Sequence, residues 1–385
     1  DSIKYVKKSI AINDENPGYH VTLGCAYSAK QEYESSITAF KNAIKINNKI
    51  AQVHFYLGES YRKLKKYNDA ISSFYNTTEL SPDHVGAYLL LGVVYQEKKQ
   101  FDLSIKAFQK CIEIMPDYAE AHLNLGLCYL LIGDYENGWR EYEWRRKLIK
   151  ESSDKLSKEW SGQNLENKTL LVLDEGADGN LIHFIRFIRE LKKESCKVIV
   201  QCSEEAMTLI KNQKWIDKAI PADEYPEHDF YIPIGSLMNV LKYNPNHHEQ
   251  DFPYIEVDTN VHSKNVTDEV NIGLVFETDR NSNAHDDESM DPGLFEKIFN
   301  EEHNVICLDK YVTNETLPDY CSKHISYSNL QELSTVISNL DLIITVDHLV
   351  AHIAGALNID TILMLPCVPT WRWDMNFRDT SIWYK

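Results

Sequence analysis

The sequence predicts an α-helical repeat array followed by an α/β region of two facing lobes. Two observations support this division. A Leu-Gly-x-x-Tyr pattern recurs every 34 residues, with its glycines at Gly24, Gly58, Gly92 and Gly126. From Lys168 onward, apolar strands alternate with amphipathic helices, which is typical of parallel sheets covered by helices. The expected parts are the array at 1–152, a polar connector at 153–167, an amino-terminal lobe at 168–262 and a carboxy-terminal lobe at 263–385.

Composition limits the class of protein and its partners. With 385 residues, of which 43% are hydrophobic, the chain can bury more than one core. A formal charge of -18 argues against a general nucleic-acid binder, because phosphate binding needs a basic face. The eight cysteines form no Cys-x-x-Cys pair, so we expect reduced thiols in a cytoplasmic protein. No apolar run approaches the ~20 residues that a membrane span needs.

The repeat pattern extends to a second aromatic series. These aromatic residues are Phe40, Phe74, Phe108 and Tyr142, again 34 residues apart. Glycine on a first helix permits close approach of a second helix, and the aromatic ring fills the space between them. Together the two series resemble the tetratricopeptide repeat, a helix-turn-helix unit of the same length.

The array predicts a protein partner. Stacked repeats of this kind form a superhelix whose concave face commonly binds a peptide or another protein. The alternative is that the array is only a scaffold or a dimerisation element, which would make the protein a homo-oligomer. The second helix of the fourth repeat reads DYENGWREYEWRRKLIKE and lacks the small residues used for stacking, so we expect it to end the array.

The α/β region contains two sets of alternating elements. The first runs from KTLLVLDE to GSLMNVLKY and the second from NIGLVFET to TILMLP, with NPNHHEQDFPYIEVD between them. This order predicts two Rossmann-like lobes with a ligand cleft at the carboxyl ends of their strands.

The region from about Trp160 to Lys385 resembles the heptosyltransferase-like domain of glycosyltransferase family nine, in the form that follows tetratricopeptide repeats in bacterial proteins. The stretches that carry the resemblance are DEGADGNLIHFIRF, ITVDHLVAHIAGAL and LPCVPTWRWDMNFRDTSIWY. The resemblance implies a GT-B fold, with the acceptor on the first lobe and a nucleotide-sugar donor on the second. The family's final strand and helix are absent after Lys385, so we expect a truncated second lobe.

The resemblance also implies a donor site on the second lobe. Its residues are Gly273, Asp347, His348, Leu349, His352 and Arg372. The helix that follows Asp347 directs free backbone N–H groups toward a diphosphate. The family usually has a small hydroxyl residue in place of His348, and imidazole can donate a hydrogen bond instead. The alternative is that Asp347 caps the helix, His352 is a core histidine, and the tryptophans beside Arg372 plug the space between the lobes.

The acceptor side departs from the family at its base. The family's first loop ends in Gly-Asp, whereas this chain has Gly179-Asn180, and an amide cannot accept the acceptor's proton. The proton-carrying residues near this loop are Asp174, Glu175, Asp178 and His183. Of these, Glu175 and His183 are the predicted catalytic residues. The alternative is that Asp178 and Asn180 only cap a helix.

A second departure is the acidic loop DRNSNAHDDESMD, where the family has basic residues. Its acids disfavour a diphosphate unless a cation compensates, and Asp286, Asp287 and Glu288 could hold a divalent cation. Adjacent acids usually form a solvated loop, so we assign no metal ligands and expect no required cofactor.

Two functions therefore stay open. The first is an enzyme that transfers a sugar from a nucleotide-sugar donor to a hydroxyl of a protein or saccharide acceptor, which the repeats recruit. The second is a catalytically degenerate, transferase-like scaffold that acts through its repeats as a protein-binding module.

Overall fold

The structure of the chain is a computed structural model. It describes residues 2–148, 156–192, 195–246, 252–257, 270–277, 289–299, 303–310, 312–313, 315–366, 369–373, 381 and 383–384. The chain divides into two compact units, Asp1–Lys150 and Glu151–Lys385.

The first unit is a stack of helix pairs. Its helices are α1 (Ser2–Ile12), α2 (Pro17–Ala29), α3 (Tyr33–Ile46), α4 (Ala51–Lys63), α5 (Tyr67–Leu80), α6 (Val85–Glu97), α7 (Phe101–Ile114), α8 (Ala119–Leu131) and α9 (Tyr135–Tyr142). Each of the four repeats pairs a first helix with a second, from α2 with α3 to α8 with α9. α1 packs on α2 in the place of a second helix from a preceding repeat.

The glycines meet the aromatic rings inside each of the first three repeats, whereas in the fourth a Cβ at Gly126 would lie 2.8 Å from the backbone nitrogen of Tyr142. A Cβ at Gly58 would lie 2.6 Å from the ring of Phe74, and one at Gly92 would lie 2.4 Å from the ring of Phe108. Both rings are fully buried. The glycines therefore leave the room that the aromatic side chains fill, which is why the two series share one period.

A polar contact recurs at every boundary between repeats and joins residues 20 positions apart. The pairs are the Lys7 amine over the Tyr27 ring at 5.5 Å, the Lys41 amine over the Tyr61 ring at 5.6 Å, the Tyr75 and Tyr95 hydroxyls at 2.9 Å, and the Gln109 amide with the Tyr129 hydroxyl at 3.1 Å. The equivalent residues of α1, α3, α5 and α7 thus contact the tyrosine of the helix that follows each of them.

The fourth repeat ends differently from the others. α9 has eight residues and continues as a 3₁₀-helix, Glu143–Lys147, which packs back on α8. The indole of Trp144 stacks on the imidazole of His122, with ring centroids 3.7 Å apart and an angle of 2° between the planes. His122 also hydrogen-bonds through Nδ1 to Glu141 at 2.6 Å.

The second unit contains two five-stranded parallel sheets. The first sheet consists of β1 (Lys158–Glu159), β2 (Thr169–Leu173), β3 (Lys197–Cys202), β4 (Lys218–Pro221) and β5 (Phe230–Pro233), in the order β1-β5-β2-β3-β4. β1 lies in the segment that the sequence assigns to the connector. It pairs with Phe230 and Tyr231 of β5 and extends the sheet by one edge strand.

Four strands of the second sheet repeat this topology, and its outer strand is the last of the sheet in chain order rather than the first. It consists of β6 (Val270–Val275), β7 (His303–Cys307), β8 (Lys323–His324), β9 (Leu342–Thr345) and β10 (Thr361–Leu363), in the order β10-β9-β6-β7-β8. The chain order reverses between β2 and β5 in the first sheet and between β6 and β9 in the second. Ligands of open α/β sheets bind at such switch points, outside the carboxyl ends of the strands. An α-helical array followed by α/β sheets is the predicted fold class.

The helices of the second unit are short. They are α10 (Asp178–Phe184), α11 (Arg186–Leu191), α12 (Glu204–Lys211), α13 (Leu237–Val240), α14 (Leu330–Ile337) and α15 (Leu349–Leu357). The stretch NLIHFIRFIRELKK forms the two helices α10 and α11 rather than one. At their boundary, Nε of Arg186 donates to the His183 carbonyl at 2.8 Å. The stretch PGLFEKIFN contains a 3₁₀-helix, Pro292–Phe295.

Candidate functional site

The two sheets of the second unit are joined through their helices. α10 packs on α15, and α12 packs on α14. A Cβ at Gly179, in the first turn of α10, would lie 3.2 Å from Cδ2 of His352 on α15. We define the lobe junction as α10, Ile185, Arg186, α15 and the segments 252–257, 370–373 and 383–384. It brings the predicted acceptor-side residues Gly179, Asn180 and His183 next to the predicted donor side.

One hydroxyl group links the two halves of the lobe junction. The hydroxyl of Tyr384 lies 2.8 Å from Nδ1 of His183 on α10 and 2.8 Å from Nδ1 of His352 on α15. Nη2 of Arg186 also donates to Nδ1 of His183 at 3.0 Å, so that nitrogen carries no proton. The hydroxyl therefore donates to His183 and accepts the Nδ1–H of His352.

Burial keeps both of these imidazoles neutral. Burial lowers the pKa of His183 well below its usual value, and the positive charge of Arg186 lowers it further. Burial, followed by the charge of Arg372, does the same to the pKa of His352. Burial also raises the pKa of the Tyr384 hydroxyl. Since Nδ1 of His183 already accepts hydrogen bonds, it offers no lone pair to an incoming acceptor hydroxyl.

Aromatic rings fill the space around this hydroxyl. Trp383 is 0% exposed and Trp371 is 5% exposed, with their ring centroids 5.7 Å apart. Nη1 of Arg186 donates to the Trp383 carbonyl at 2.6 Å. A Cβ at Gly355 would lie 2.3 Å from the Tyr384 ring, so α15 accommodates that ring only because residue 355 has no side chain.

The chain's own side chains occupy the first turn of α15. Nδ1 of His348 accepts from the Val350 amide at 3.2 Å, and the Thr370 hydroxyl donates to Asp347 at 2.9 Å. His348 is 6% exposed, and Leu349 is half-buried. The segment predicted to seat a phosphate is therefore capped by an imidazole in this structure.

Arg372 connects the predicted donor and acceptor sides. Its guanidinium donates to the side-chain oxygen of Asn180 and lies 4.6 Å from the ring centroid of Trp371. Trp373 stacks on His352 with ring centroids 5.3 Å apart. Nε of Arg372 and Nε1 of Trp373 are buried and have no hydrogen-bond partner among the described residues. These two atoms are polar donors that a ligand could still use.

Glu175 lies at the switch point of the first sheet. Its Oε2 accepts from the Gly235 amide at 2.6 Å, which ties the end of β2 to the end of β5. Its neighbour Asp174 accepts from the Gly176 amide at 3.1 Å, and burial raises the pKa of Asp174. The Asp178 carboxylate accepts from the Ser203 hydroxyl at 2.8 Å. Both Glu175 and Asp178 thus hold loops together.

Gly273 lies inside β6, in the centre of the second sheet. A Cβ there would come within 2.6 Å of Cδ1 of Ile343 and 2.7 Å of Cδ1 of Leu340. Close packing of neighbouring side chains accounts for the glycine.

The sequence did not single out three residues that organise this unit, Arg186, Asp309 and Tyr384. The Asp309 carboxylate, just after β7, accepts from the amides of Phe276 and Glu277 at 3.1 Å each. Burial raises the pKa of Asp309 to about 6, although these amides oppose the shift. The sequence signal for Asp309 is an acid directly after an apolar strand, NVICLD, whereas Arg186 and Tyr384 have no such signal.

The acidic loop lies outside the described residues. This applies to Arg280 and to Asp286, Asp287 and Glu288, the acids that could hold a divalent cation. Within the described ranges, no three His, Cys, Asp or Glu side chains are grouped so that they could hold a metal ion. In those same ranges, no helix has the length and apolar composition needed to cross a membrane.

Charge is divided unequally between the two units. Residues 151–385 contain 40 Asp and Glu against 20 Lys and Arg, whereas residues 1–150 contain 18 against 20. The second unit therefore carries the whole negative excess of the chain. A field of that sign opposes the approach of a diphosphate.

The first helices of the array form a separate surface. α2, α4, α6 and α8 contact one another from repeat to repeat. Each presents two half-buried side chains at positions i and i+4, which lie on the same face of a helix. We call these eight residues the open strip: Val21, Cys25, Phe55, Glu59, Leu89, Val93, Leu123 and Leu127. Glu59 is the one charged residue of this strip.

Comparison with known proteins supports the repeats. Family models of the tetratricopeptide repeat match residues 21–83, 85–118 and 107–139. None of the matching family models describes a transferase. No curated protein sequence matches this chain.

Solved structures are similar to part of the chain. MamA is 23% identical, with a TM-score of 0.37, over 38% of this chain and 85% of that one. YrrB, described as a TPR protein with an unusual peptide-binding site, is 18% identical, with a TM-score of 0.34, over 37% of this chain and 73% of that one. PilF of Pseudomonas aeruginosa is 15% identical, with a TM-score of 0.36, over 38% of this chain and 67% of that one. The family models confirm that residues 21–139 form tetratricopeptide repeats.

Proposed function

We propose that this protein is a binding module that holds a segment of another protein on its tetratricopeptide repeats. Its two-sheet unit is then a transferase-like scaffold without turnover. The open strip supports the first part, because it leaves apolar side chains half exposed on four neighbouring helices. Partly exposed apolar side chains grouped on neighbouring helices are typical of a protein-interaction site.

The contacts of Tyr384 carry the second part of the proposal. A transferase needs space between its lobes for the acceptor hydroxyl and the sugar, yet His183 and His352 bind the same hydroxyl at 2.8 Å each. Trp371 and Trp383 are buried beside it. The acidic charge of the second unit further disfavours an anionic donor.

Peptide binding tests the first part. Short synthetic peptides with two leucines in a randomised polar sequence are titrated with the full chain, and fluorescence anisotropy gives their affinity. Leu123→Asn on the open strip should weaken binding about tenfold, because it removes apolar contact area. Leu103→Asn alters a leucine that is 41% exposed on the second helix α7 and should leave the affinity unchanged.

Circular dichroism confirms that both variants keep the helix content of the parent protein. Equal affinity of the parent and Leu123→Asn, or equal weakening by both variants, would contradict binding on the open strip.

Transfer of a sugar from a nucleotide-sugar donor to a hydroxyl is the second candidate function. The resemblance to glycosyltransferase family nine implies it, and two buried donors favour it. Nε of Arg372 and Nε1 of Trp373 lack hydrogen-bond partners among the described residues and could bind a diphosphate if the surrounding rings moved apart. The acceptor in that case is a protein or saccharide held by the repeats.

Thermal unfolding with a panel of nucleotides and nucleotide sugars, with and without magnesium, separates the two candidates. A ligand at one hundred times its Kd would stabilise the protein by about 2.7 kcal/mol. The scaffold proposal expects no stabilisation by any of them. A stabilisation that both His352→Ala and Arg372→Ala abolish would instead support the transferase.

A further inference from the structure

Glu59 is the charged residue of the open strip. Arg62 lies one helical turn after it, but Nη1 of Arg62 is bonded to Oε1 of Glu97 on α6 at 3.3 Å. Among the described residues, Glu59 makes no hydrogen bond or ion pair. Arg62, one turn away on the same helix, is thus already engaged with another carboxylate.

The surroundings of Glu59 are partly withdrawn from water. Burial raises the pKa of the Glu59 carboxyl, although the charges of Arg62 and Lys63 oppose the shift. Cys25 of the preceding repeat lies close enough that the charge of Glu59, after burial, raises the pKa of its thiol. A half-buried carboxylate among apolar groups is unfavourable unless a cation or a hydrogen-bond donor reaches it.

Apolar side chains flank this carboxylate along the open strip. Phe55 lies one turn before Glu59 on the same face of α4, and its ring centroid is 4.7 Å from that of His84 at the start of α6. Leu89 and Val93 occupy the corresponding positions on α6. A segment lying across these helices would contact apolar groups on both sides of a single negative charge.

We infer that Glu59 selects the partner, and that the segment bound to the open strip carries a lysine or arginine between apolar residues, with its cation paired to Glu59. This inference rests on the proposed protein-binding function. Charge complementarity determines the choice, because the bound cation would supply the ion pair that Arg62 does not make. A cation held by a half-buried carboxylate contributes more than one at an exposed site.

Three matched peptide pools test this inference. Each pool contains short peptides with two leucines, one on either side of a fixed position. The fixed residue is lysine in the first pool, norleucine in the second and glutamate in the third. By fluorescence anisotropy, the full chain should bind the lysine pool about tenfold more tightly than the norleucine pool. The preference should shrink as salt is added, since mobile ions screen the pair.

Variants of the full chain locate the preference. Glu59→Gln should bind the lysine and norleucine pools equally, and Glu59→Lys should prefer the glutamate pool. Glu79→Gln is the matched control, because Glu79 is an exposed glutamate on the second helix of the same repeat, and it should retain the preference for lysine.

The outcomes distinguish this inference from the proposed function. If the parent protein binds all three pools equally, or if Glu59→Gln keeps the preference for lysine, the inference is overturned while binding on the repeats stands. If no pool binds the parent protein, both are overturned.

Discussion

Replacing Tyr384 with phenylalanine removes the oxygen that hydrogen-bonds to a histidine on each side of the lobe junction. The ring itself stays, so its packing against Gly355 is preserved. Nδ1–H of His352 is then left buried without its acceptor, which costs about 1–3 kcal/mol. His183 keeps Arg186 as a donor and loses one hydrogen bond, worth about 0.5–1.5 kcal/mol. We therefore expect the free energy of unfolding of the second unit to fall by about 1.5–4.5 kcal/mol.

Urea unfolding followed by tryptophan fluorescence measures this loss, because Trp371 and Trp383 lie beside the altered hydroxyl. Tyr320→Phe is the matched comparison. It removes one hydrogen bond, from the Tyr320 hydroxyl to the Pro292 carbonyl at 2.8 Å, and should cost about 1 kcal/mol. If Tyr384→Phe costs no more than Tyr320→Phe, the hydroxyl does not link the lobes as described.

Two further predictions concern acid and glycine. Burial lowers the pKa of the two histidines bonded to Tyr384, so below about pH 6.5 the unfolded chain binds more protons than the folded chain. Urea unfolding should therefore show that the free energy of unfolding is highest above that pH and falls toward about pH 5. Burial raises the pKa of Asp309 to about 6, so protonated Asp309 stabilises the folded state in acid and this stabilisation is lost as pH rises through about 6. The free energy of unfolding of Asp309→Asn should therefore fall more steeply in acid than that of the parent protein. If it does not change with pH in either protein, this prediction is contradicted. Gly58→Ala places a Cβ 2.6 Å from the Phe74 ring and should destabilise the array by about 1–3 kcal/mol. Gly86 lies in α6, where a Cβ would have its nearest neighbours at 3.5 Å, so Gly86→Ala should stabilise the array by up to about 1 kcal/mol. Equal thermal stability of the two variants would refute the packing argument.

The repeats were predictable because the glycine and aromatic series that share the 34-residue period contact each other. Gly58 and Phe74 are 16 residues apart in the sequence and touch in the structure, as do the equivalent residues of the neighbouring repeats. The first three repeats share this contact, so the chain contains three copies of the same sequence signal. The early end of α9 was less predictable. It is accompanied by the stacking of Trp144 on His122, a contact that does not recur in the other repeats and therefore leaves no periodic signal.

The long strands of the two sheets were also predictable, since buried parallel strands are continuous apolar runs. The two-residue strands were not predicted, because they are not apolar runs. Lys158–Glu159 and Lys323–His324 are polar pairs that join a sheet through backbone hydrogen bonds alone.

At the lobe junction, sequence reasoning identified residues that meet but not what they do there. Gly179 and His352 are neighbours, and Asn180 bonds to Arg372. The roles of these residues as ligands of a nucleotide sugar remain predictions. Tyr384 was missed because its two histidine partners lie far away along the chain, and side-chain contacts of that kind depend on the tertiary arrangement rather than on local pattern.

Hydrogen–deuterium exchange of the full chain, with and without the lysine peptide pool, tests most directly whether the protein works through its repeats. The account predicts slower exchange in α4 and α6, which carry Glu59, Leu89 and Val93, with no change in α10 or α15. Protection of α10 and α15 with none in the array would place the binding site at the lobe junction and contradict the account.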